Sequence, residues 1–357
     1  MNGTAPEKPI RTAVVGYGLS GSVFHAPLIA ADPRFSLDFI ATSDAGRQSA
    51  AAKRYPDART VPDGDAVLAL AADLDLVVLG TPPATHYPLA KAALEAGLDV
   101  VVDKPFTVRS AEGQELIELA ARLGRVLTVY QNRRWDNGFL TIRKLMDAGE
   151  LGDVIRFESA MERWSPTIAK SWKAAATVDD GGGIFFDLGT HLLDMAVRLF
   201  GPAEVIHAEL SARREQEKAD DDIFVVLNHA SRGGKPAVTS HLTMNVLCAQ
   251  PGPVFRVLGT RAGYTKHGID PQEAQLIAGA LPADPGFGVE LPEAHGELGV
   301  LGDVRRVPTE PGAYQEFYRI LGEKIHDGGA ASVLPVPVDP AGPVEVLKLI
   351  EQARALA

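Results

Sequence analysis

The first 130 residues alternate between short apolar runs and longer segments of helical pattern. The runs contain Val, Ile and Leu at consecutive positions, which is typical of strands buried on both faces of a sheet. The intervening segments are Ala-rich or amphipathic, and two of them end at Gly97 and Gly124, as helices often do. Strands are predicted over 10–15, 37–42, 74–79, 100–102 and 126–129, and helices over 20–31, 45–54, 86–96 and 111–123. This order predicts an α/β domain with a doubly wound parallel sheet of the Rossmann type.

The pattern changes after residue 130. Strand-like runs now follow one another without helices between them, which indicates a mostly antiparallel sheet in an α+β domain. Helices are predicted over 139–148, 186–200, 314–326 and 343–356, strands over 154–161, 205–210, 223–227, 237–243 and 254–258, and a long Gly- and Pro-rich surface loop over 279–313. The sequence therefore predicts a loose tail over 1–9, a doubly wound domain over 10–130 and an α+β domain over 131–357.

Composition and charge exclude several classes of protein. The chain has 357 residues and a net charge of −11, so it should repel phosphate backbones, and nucleic acid is not an expected partner. Its single cysteine, Cys248, can form neither an internal disulfide nor a cysteine-only zinc site. The sequence shows no secretory signal pattern and no apolar run long enough to span a membrane. We therefore expect a cytoplasmic protein.

A G-x-G-x-x-G motif follows the first predicted strand and opens a helix. The first glycine permits a tight turn, the second lets the backbone approach a pyrophosphate, and the third lets the helix pack on the strand. The start of the helix then offers free N–H groups to the phosphates. The motif residues are Gly16, Tyr17, Gly18, Leu19, Ser20 and Gly21. This context predicts a dinucleotide site, whereas the alternative is a purely structural turn.

The end of the second predicted strand bears on which dinucleotide binds. Asp44 is placed to accept hydrogen bonds from the adenosine ribose hydroxyls and would repel a 2′-phosphate, which favours NAD(H). Ser43 and Arg47 could instead hold that phosphate, which favours NADP(H). Asp44 could also serve as the N-cap of the following helix.

Two clusters carry groups suited to catalysis. Lys104, in the turn Asp103-Lys104-Pro105, directly follows the fourth predicted strand, and ligands of such sheets bind outside the carboxyl ends of the strands. Asp187 and His191 are four positions apart in the sequence. They share one face of a predicted helix with Asp194. The alternatives are a solvated lysine and a local pairing or cap on the helix. Two such side chains do not make a metal site, so no metal is expected.

Taken together, these motifs resemble those of the Gfo/Idh/MocA oxidoreductases. The similarity extends over about residues 10–355 and is strongest to the scyllo-inositol dehydrogenase-like branch. The strings that carry it are Gly16 to His25, Thr81-Pro82 with His86, Asp103-Lys104-Pro105, Gln131 to Asn137, Asp187 with His191, and Lys266 to Asp270.

The resemblance implies a bound NAD or NADP and the oxidation of a sugar or cyclitol across a domain cleft, or the reverse reduction. It implies that Lys104, Asp187 and His191 are catalytic, and that the second domain forms a homodimer or homotetramer. Contacts to the cofactor match Thr81, Pro82, His86, Asp103, Lys104 and Pro105, with Trp172 as a weaker match. Two positions depart from the family pattern: Asp103 replaces the usual Glu, and Asp44 replaces a residue that is basic in NADP-preferring members.

The roles follow from ordinary acid–base chemistry. His191 would take the hydroxyl proton, Lys104 would stabilise the developing alkoxide, and Asp187 would orient the substrate or the imidazole. Candidates for substrate contact, by position alone, are Asn132, Arg134, Trp164 and Tyr264, the last two of which could equally be core or interface aromatics. Two other functions stay open: a dinucleotide-binding regulator without turnover, and an isomerase or glycoside-cleaving relative that uses its cofactor transiently.

Overall fold

The computed structural model describes residues 8–167, 176–215 and 218–357. Its chain forms two compact units. The first unit comprises the described residues of Met1–Asn132 together with Glu273–Phe287 and Ala313–Val344. The second comprises those of Arg133–Gln272 together with Gly288–Gly312 and Glu345–Ala357. The sequence-based boundaries at residues 9 and 130 stay predictions.

The first unit is built on a six-stranded parallel sheet. Its strands are β1 (Ile10–Val15), β2 (Phe35–Ala41), β3 (Arg59–Val61), β4 (Leu76–Leu79), β5 (Asp99–Asp103) and β6 (Leu127–Tyr130). Their spatial order, β3-β2-β1-β4-β5-β6, is that of a doubly wound nucleotide-binding sheet. Every residue of β4 is buried, as expected of a strand covered on both faces. The predicted fold class of this part is confirmed.

The helices of the first unit follow the predicted order with some differences. The predicted helix over 20–31 begins as a π-helix, Ser20–His25, and continues as α1 (Ala26–Ala30), whose first turn accommodates Pro27. Strand β3, helix α3 and the helix over 272–277, all short, were not predicted. The helices are α1, α2 (Ala45–Arg54), α3 (Gly64–Leu68), α4 (His86–Glu95), α5 (Ser110–Leu123), α8 (Gln272–Ile277, of which all but Gln272 belong here) and α9 (Gln315–His326).

The second unit contains an eight-stranded sheet. Its strands are β7 (Val154–Glu162), β8 (Ala203–Ser211), β9 (Asp222–His229), β10 (Val238–Asn245), β11 (Phe255–Gly259), β12 (Gly263–Lys266), β13 (Gly296–Val300) and β14 (Asp303–Val307). They lie in the order β14-β13-β12-β11-β7-β10-β9-β8. All neighbouring pairs are antiparallel except β7 and β10, which are parallel. The predicted mostly antiparallel sheet is confirmed.

The second unit also contains helices. They are α6 (Asn137–Asp147), α7 (Thr190–Phe200), and α10 (Ala341–Leu356) from Glu345 onwards. Helix α7 packs against β7 and β10, where Phe200 lies 5.4 Å from the ring of Phe157. The predicted helix over 186–200 begins one residue earlier, as a π-helix over Phe185–Gly189 that leads into α7.

The predicted surface loop over 279–313 is wrong for its second half, which forms the hairpin of β13 and β14. The glycines there interrupt the alternation by which a strand is recognised, and β14 is an edge strand with mostly exposed side chains. Gly296 is needed because a Cβ there would lie 2.4 Å from the hydroxyl oxygen of Tyr264. Gly296, which contributes to the loop-like composition of this segment, is therefore the position in β13 against which Tyr264 packs.

His25 forms a buried polar contact in the first unit. It is fully buried, its Nδ1 lies 2.7 Å from the hydroxyl of Tyr318, and its ring lies 4.4 Å from that of Tyr130. Burial lowers the pKa of His25 to about 4, although the Asp103 carboxylate, 3.9 Å from Nε2, opposes the shift. Because Tyr318 lies on α9, His25 on the π-helix and Tyr130 on β6, this contact joins α9 to the other two elements.

Substitution of the two glycines that flank the β11–β12 turn should affect stability to different extents. A Cβ at Gly259 would lie 2.0 Å from the carbonyl oxygen of Leu151, whereas one at Gly263 would meet no atom closer than 3.6 Å. We expect Gly259→Ala to lower the free energy of unfolding by about 2–3 kcal/mol and Gly263→Ala to change it by less than about 1 kcal/mol. Urea unfolding midpoints measure both, and equal midpoints would contradict the described packing.

The buried imidazole of His25 should make the first unit less stable in weak acid. Because the folded pKa is depressed from 6.5 to about 4, its contribution is fully present above pH 6.5 and is lost as the pH falls towards 4. The loss should approach about 3 kcal/mol, and urea unfolding at a series of pH values measures it. His25→Gln should flatten this part of the pH profile, whereas the exposed His326→Gln should leave it as in the parent chain. An unchanged profile in His25→Gln would refute the assignment.

Candidate functional site

The loop after β1 is packed so closely that two of its glycines can carry no side chain. Gly16 has φ of +94°, and a Cβ there would lie 2.5 Å from the carbonyl oxygen of Gly80. A Cβ at Gly21 would lie 2.0 Å from the carbonyl oxygen of Gly16. Both contacts are with backbone, which cannot move aside. These glycines therefore supply the tight turn and the close packing of helix on strand that the motif predicts.

Gly18 differs because its side faces open space. A Cβ there would meet only Arg47 Nη1, at 3.9 Å. The main-chain N and the hydroxyl of Ser22 donate to the carbonyl oxygen of Gly18, at 3.0 and 2.6 Å, and so fold the loop onto the π-helix that begins at Ser20. Open space beside a helix start is what a pyrophosphate requires. The residues of this loop therefore fit a bound dinucleotide.

The remaining residues of the loop point in different directions. The Tyr17 side chain is buried in the cluster that includes Ala26 and Ile40. Leu19 is 52% exposed. The Ser20 hydroxyl is buried, and it is the atom that a Cβ at Gly80 would meet at 2.7 Å. Only the main chain of Tyr17 can thus face a ligand.

The end of β2 presents exposed polar residues. Asp44 is the N-cap of α2, because its Oδ1 accepts a hydrogen bond of 2.8 Å from Arg47 N. The capping role considered for Asp44 is therefore present, and it occupies only one of the two carboxylate oxygens. Ser43, Asp44 and Arg47 are all exposed, and the Arg47 guanidinium extends towards Gly18. The structure thus brings the acid and the guanidinium together beside the glycine loop.

His86 links the turns that follow β4 and β5. It is buried, and its Nδ1 and Nε2 each lie 2.8 Å from a main-chain carbonyl oxygen, of Pro105 and of Thr81 respectively. A neutral imidazole can donate to one carbonyl only, and an imidazolium can donate to both. Burial lowers the pKa of His86, while the nearby Asp103 carboxylate and the two carbonyls raise it. His86 therefore holds the two turns in place and presents no free ring nitrogen to a ligand.

Lys104 lies on the second of these turns. It follows Asp103 at the end of β5, and its main-chain N donates to Asp103 Oδ1 at 2.7 Å. The peptide bond between Lys104 and Pro105 is cis. The lysine side chain is half-buried, and Thr81 and exposed Pro82 lie on the turn that His86 connects to it. The parallel sheet thus places the Lys104 cation and the glycine loop at the carboxyl ends of its strands.

Asp187 and His191 lie on consecutive helical segments of the second unit. Asp187 belongs to the π-helix and is half-buried, and His191 lies in the first turn of α7 and is 5% exposed. The close packing includes Gly189, where a Cβ would lie 2.4 Å from Cδ2 of Phe185. The regular helix predicted for this pair is therefore interrupted between them, since π-helical bonds widen the turn that carries Asp187.

Asp194 forms a salt bridge with Arg134. Arg134 donates to both of its carboxylate oxygens, at 2.8 and 2.6 Å, and the two side chains are 10% and 5% exposed. This geometry is the bidentate pairing that guanidinium and carboxylate favour. Arg134, a candidate for substrate contact, therefore serves first to neutralise the buried Asp194.

The other candidates for substrate contact fall into three groups. Tyr264 is fully buried, so the alternative of a core aromatic is correct and it cannot touch a substrate. Asn132 is 7% exposed in a short 3₁₀ turn at the end of the first unit. Trp164 is 59% exposed and continues the pairing beyond β7 through a bridge to Leu247. Trp172, the weaker match for a contact to the cofactor, lies outside the described residues.

Sequence reasoning missed two groups that hold these elements. Within the first unit His25 contacts Tyr318, a residue 293 positions away, and no local pattern relates the two. Asp220 caps the π-helix that carries Asp187, and in the sequence it is only one of three consecutive aspartates. Among the described residues, no group of three or more His, Cys, Asp or Glu side chains could hold a metal ion. No helix in the described ranges is both long and apolar enough to cross a bilayer.

Comparisons with known proteins agree with this arrangement. Residues 10–131 match the model of an oxidoreductase family with an NAD-binding Rossmann fold, and residues 139–265 match the model of a GFO/IDH/MocA C-terminal domain. An uncharacterized oxidoreductase of Escherichia coli, YdgJ, is 38% identical over 96% of this chain and 94% of its own. The scyllo-inositol 2-dehydrogenase (NADP(+)) IolW of Bacillus subtilis is 33% identical over 99% and 95%.

A solved structure shows the same fold. The oxidoreductase yvaA from Bacillus subtilis superposes with a TM-score of 0.88 at 32% identity, covering 98% of this chain and 96% of that one. The overall fold is thus that of a solved oxidoreductase structure. The chain belongs to the GFO/IDH/MocA family of oxidoreductases, with an NAD(P)-binding Rossmann fold.

Proposed function

We propose that this oxidoreductase transfers a hydride between NAD(P) and a CH–OH group of a cyclitol or sugar. The observation that carries the proposal is the position of Lys104 on the turn after β5, at the same sheet edge as the loop whose Gly18 is open to a pyrophosphate. A lysine there can neutralise an alkoxide beside a bound dinucleotide. The similarity to a scyllo-inositol 2-dehydrogenase supports a polyol substrate.

Each catalytic residue has a distinct proposed role. His191 removes the hydroxyl proton, because imidazole titrates near neutral pH. Lys104 stabilises the negative charge that develops on the same oxygen. Asp187 holds a substrate hydroxyl or orients the imidazole. The nicotinamide, when bound, accepts the hydride in oxidation and returns it in reduction.

The proposed cofactor is NAD(H). Asp44 is exposed, and only one of its carboxylate oxygens is used in capping α2, so the other remains placed to accept from a ribose hydroxyl. The alternative is NADP(H), held by Ser43 and by the Arg47 guanidinium near Gly18. The similarity to an NADP(+)-dependent relative supports that alternative.

Two further features complete the proposal. Of the substrate candidates we retain Trp164, because an exposed indole can pack against the apolar face of a sugar ring. We also propose a homodimer or homotetramer, in line with the family resemblance. In the second unit, Ile155 and Ile206 are 48% and 53% exposed on the eight-stranded sheet and would gain from such burial.

Lys104→Ala tests the proposed chemistry. Removing the cation should lower kcat with a polyol and its cofactor about 10²–10³-fold, because a charge that acts in the transition state is lost. The dissociation constant for NADH, from fluorescence titration, should change by less than about threefold, because the glycine loop is intact. The exposed Lys53→Ala is the matched control and should behave as the parent chain. Equal losses in kcat and in NADH affinity would remove the proposed role.

Asp44→Ser tests the cofactor preference without removing the helix cap, since serine caps helices about as well as aspartate. The parent chain should bind NADH more tightly than NADPH. The variant should bind NADPH about tenfold more tightly than the parent chain does, because a carboxylate no longer repels the 2′-phosphate. Tighter binding of NADPH by the parent chain would instead support the Ser43 and Arg47 alternative.

A further inference from the structure

The π-helix that carries Asp187 is held at its start by a residue far along the chain. Ile184 N donates to the main-chain oxygen of Asp220, and Phe185 N donates to Asp220 Oδ2, both at 2.9 Å. Asp220 is 5% exposed. The first N–H groups of a helix have no partner within it, and here one carboxylate and one carbonyl from the same residue satisfy two of them.

The turn before this helix is shaped to admit the carboxylate. Gly183 has φ of +91°, and a Cβ there would lie 2.7 Å from Asp220 Oδ2. Gly181, with φ of +75°, ends the preceding 3₁₀ turn. Gly183 is therefore required by the close approach of Asp220, whereas a Cβ at Gly182 would instead lie 2.6 Å from the carbonyl oxygen of Ala176.

The second oxygen of Asp220 is bound by Arg354. Its Nη2 donates to Asp220 Oδ1, and the two side chains are 21% and 4% exposed. The same guanidinium lies over the rings of Phe185 and Phe186, with Cζ 5.5 and 5.4 Å from their centroids. Arg354 lies in the last turn of α10, three residues before the end of the sequence.

We propose that the Asp220–Arg354 pair is a positioning device that sets the orientation of Asp187, so that the last turn of the C-terminal helix is required for full turnover. The inference rests on the proposed function, because it concerns the placement of Asp187. Both residues act through the π-helix and neither needs to touch the substrate. Asp220 fixes the two N–H groups at the start of the π-helix, and Arg354 fixes Asp220 and the two aromatic rings beside Asp187.

The pair suits this task better than a neutral contact would. A buried carboxylate without a partner is costly, so Asp220 keeps its position only while Arg354 balances its charge. The planar guanidinium donates to the carboxylate and lies over the aromatic rings at the same time, which a lysine ammonium cannot reproduce. Loss of Arg354 therefore leaves the Asp220 carboxylate free to turn, and Phe185 N at the start of the π-helix loses its acceptor.

The experiment compares Arg354→Ala and Arg354→Lys with Lys348→Ala in the full chain. Lys348 lies on the same helix in an exposed pair with Glu345, so it is the matched control. Amide hydrogen exchange, read by mass spectrometry over peptides covering 183–190, reports the state of the π-helix. In Arg354→Ala these amides should exchange about tenfold faster or more, as expected from losing a hydrogen bond to a charged group. Arg354→Lys should fall between, and Lys348→Ala should match the parent chain.

Kinetics separates positioning from general loss of structure. Arg354→Ala should lower kcat with an accepted polyol about 10–10²-fold, while KM and the dissociation constant for NADH change by less than about threefold. Guanidinium ion at concentrations well below those that unfold the chain should restore part of the lost kcat in Arg354→Ala. It should not raise kcat in Lys348→Ala. Unchanged kcat in Arg354→Ala, or faster exchange spread equally over the whole second unit, would overturn the proposal.

The two proposals fail in different ways. A parent chain that binds NADH but turns over no polyol or keto-sugar would contradict the proposed function, and the exchange measurement would still decide whether Arg354 fixes the π-helix. Normal exchange over 183–190 in Arg354→Ala would refute the positioning role even if the parent chain is an active dehydrogenase.

Discussion

The first unit depends on close contacts between backbone atoms at the ends of β1 and β4. Gly16, Gly21 and Gly80 approach one another and Ser20 so closely that a methyl group at any of them would collide with its neighbour. Because the chain is so tightly packed there, the loop has one shape, and Gly18 is left with its open side outward. The space for a pyrophosphate is therefore a consequence of packing, and the preference for a particular dinucleotide depends on the exposed residues at the end of β2.

The polar residues of the two units differ in how deeply they are buried. His86 uses both ring nitrogens on main-chain carbonyls, and Asp194 uses both carboxylate oxygens on Arg134. Both groups are buried and face partners within the chain, so they hold the turns and helices in place. Lys104 and Asp187 are only half-buried, as a group that meets a ligand should be. Burial thus distinguishes Lys104 and Asp187 from these supporting residues, whereas His191, at 5% exposure, is nearly as buried as they are.

Much of the fold could be predicted from the sequence, because strands buried on both faces and helices ended by glycine leave strong local patterns. The hairpin of β13 and β14 could not, since Gly296 is set by the distant Tyr264 and the exposed strand β14 shows no alternation. Within the site, the glycine loop and the Lys104 turn were recognisable as local strings. The contacts of His25 with Tyr318 and of Asp220 with Arg354 join residues 293 and 134 positions apart, and no local pattern encodes them.

The first unit is built from segments that lie far apart in the sequence, and this has a consequence for its synthesis on the ribosome. Its sheet is complete once β6 has been made, but its packing also requires α9 and the segment around Val338, which hydrogen-bonds Thr128 across 210 positions. At bacterial or eukaryotic elongation rates, roughly ten to forty seconds pass between the emergence of β6 and that of Tyr318. During that interval the nascent sheet lacks the covering that α9 provides, and its apolar surface is exposed to chaperones. The strands of the first unit are therefore synthesised first, but the packing of their sheet is completed only after α9 has emerged.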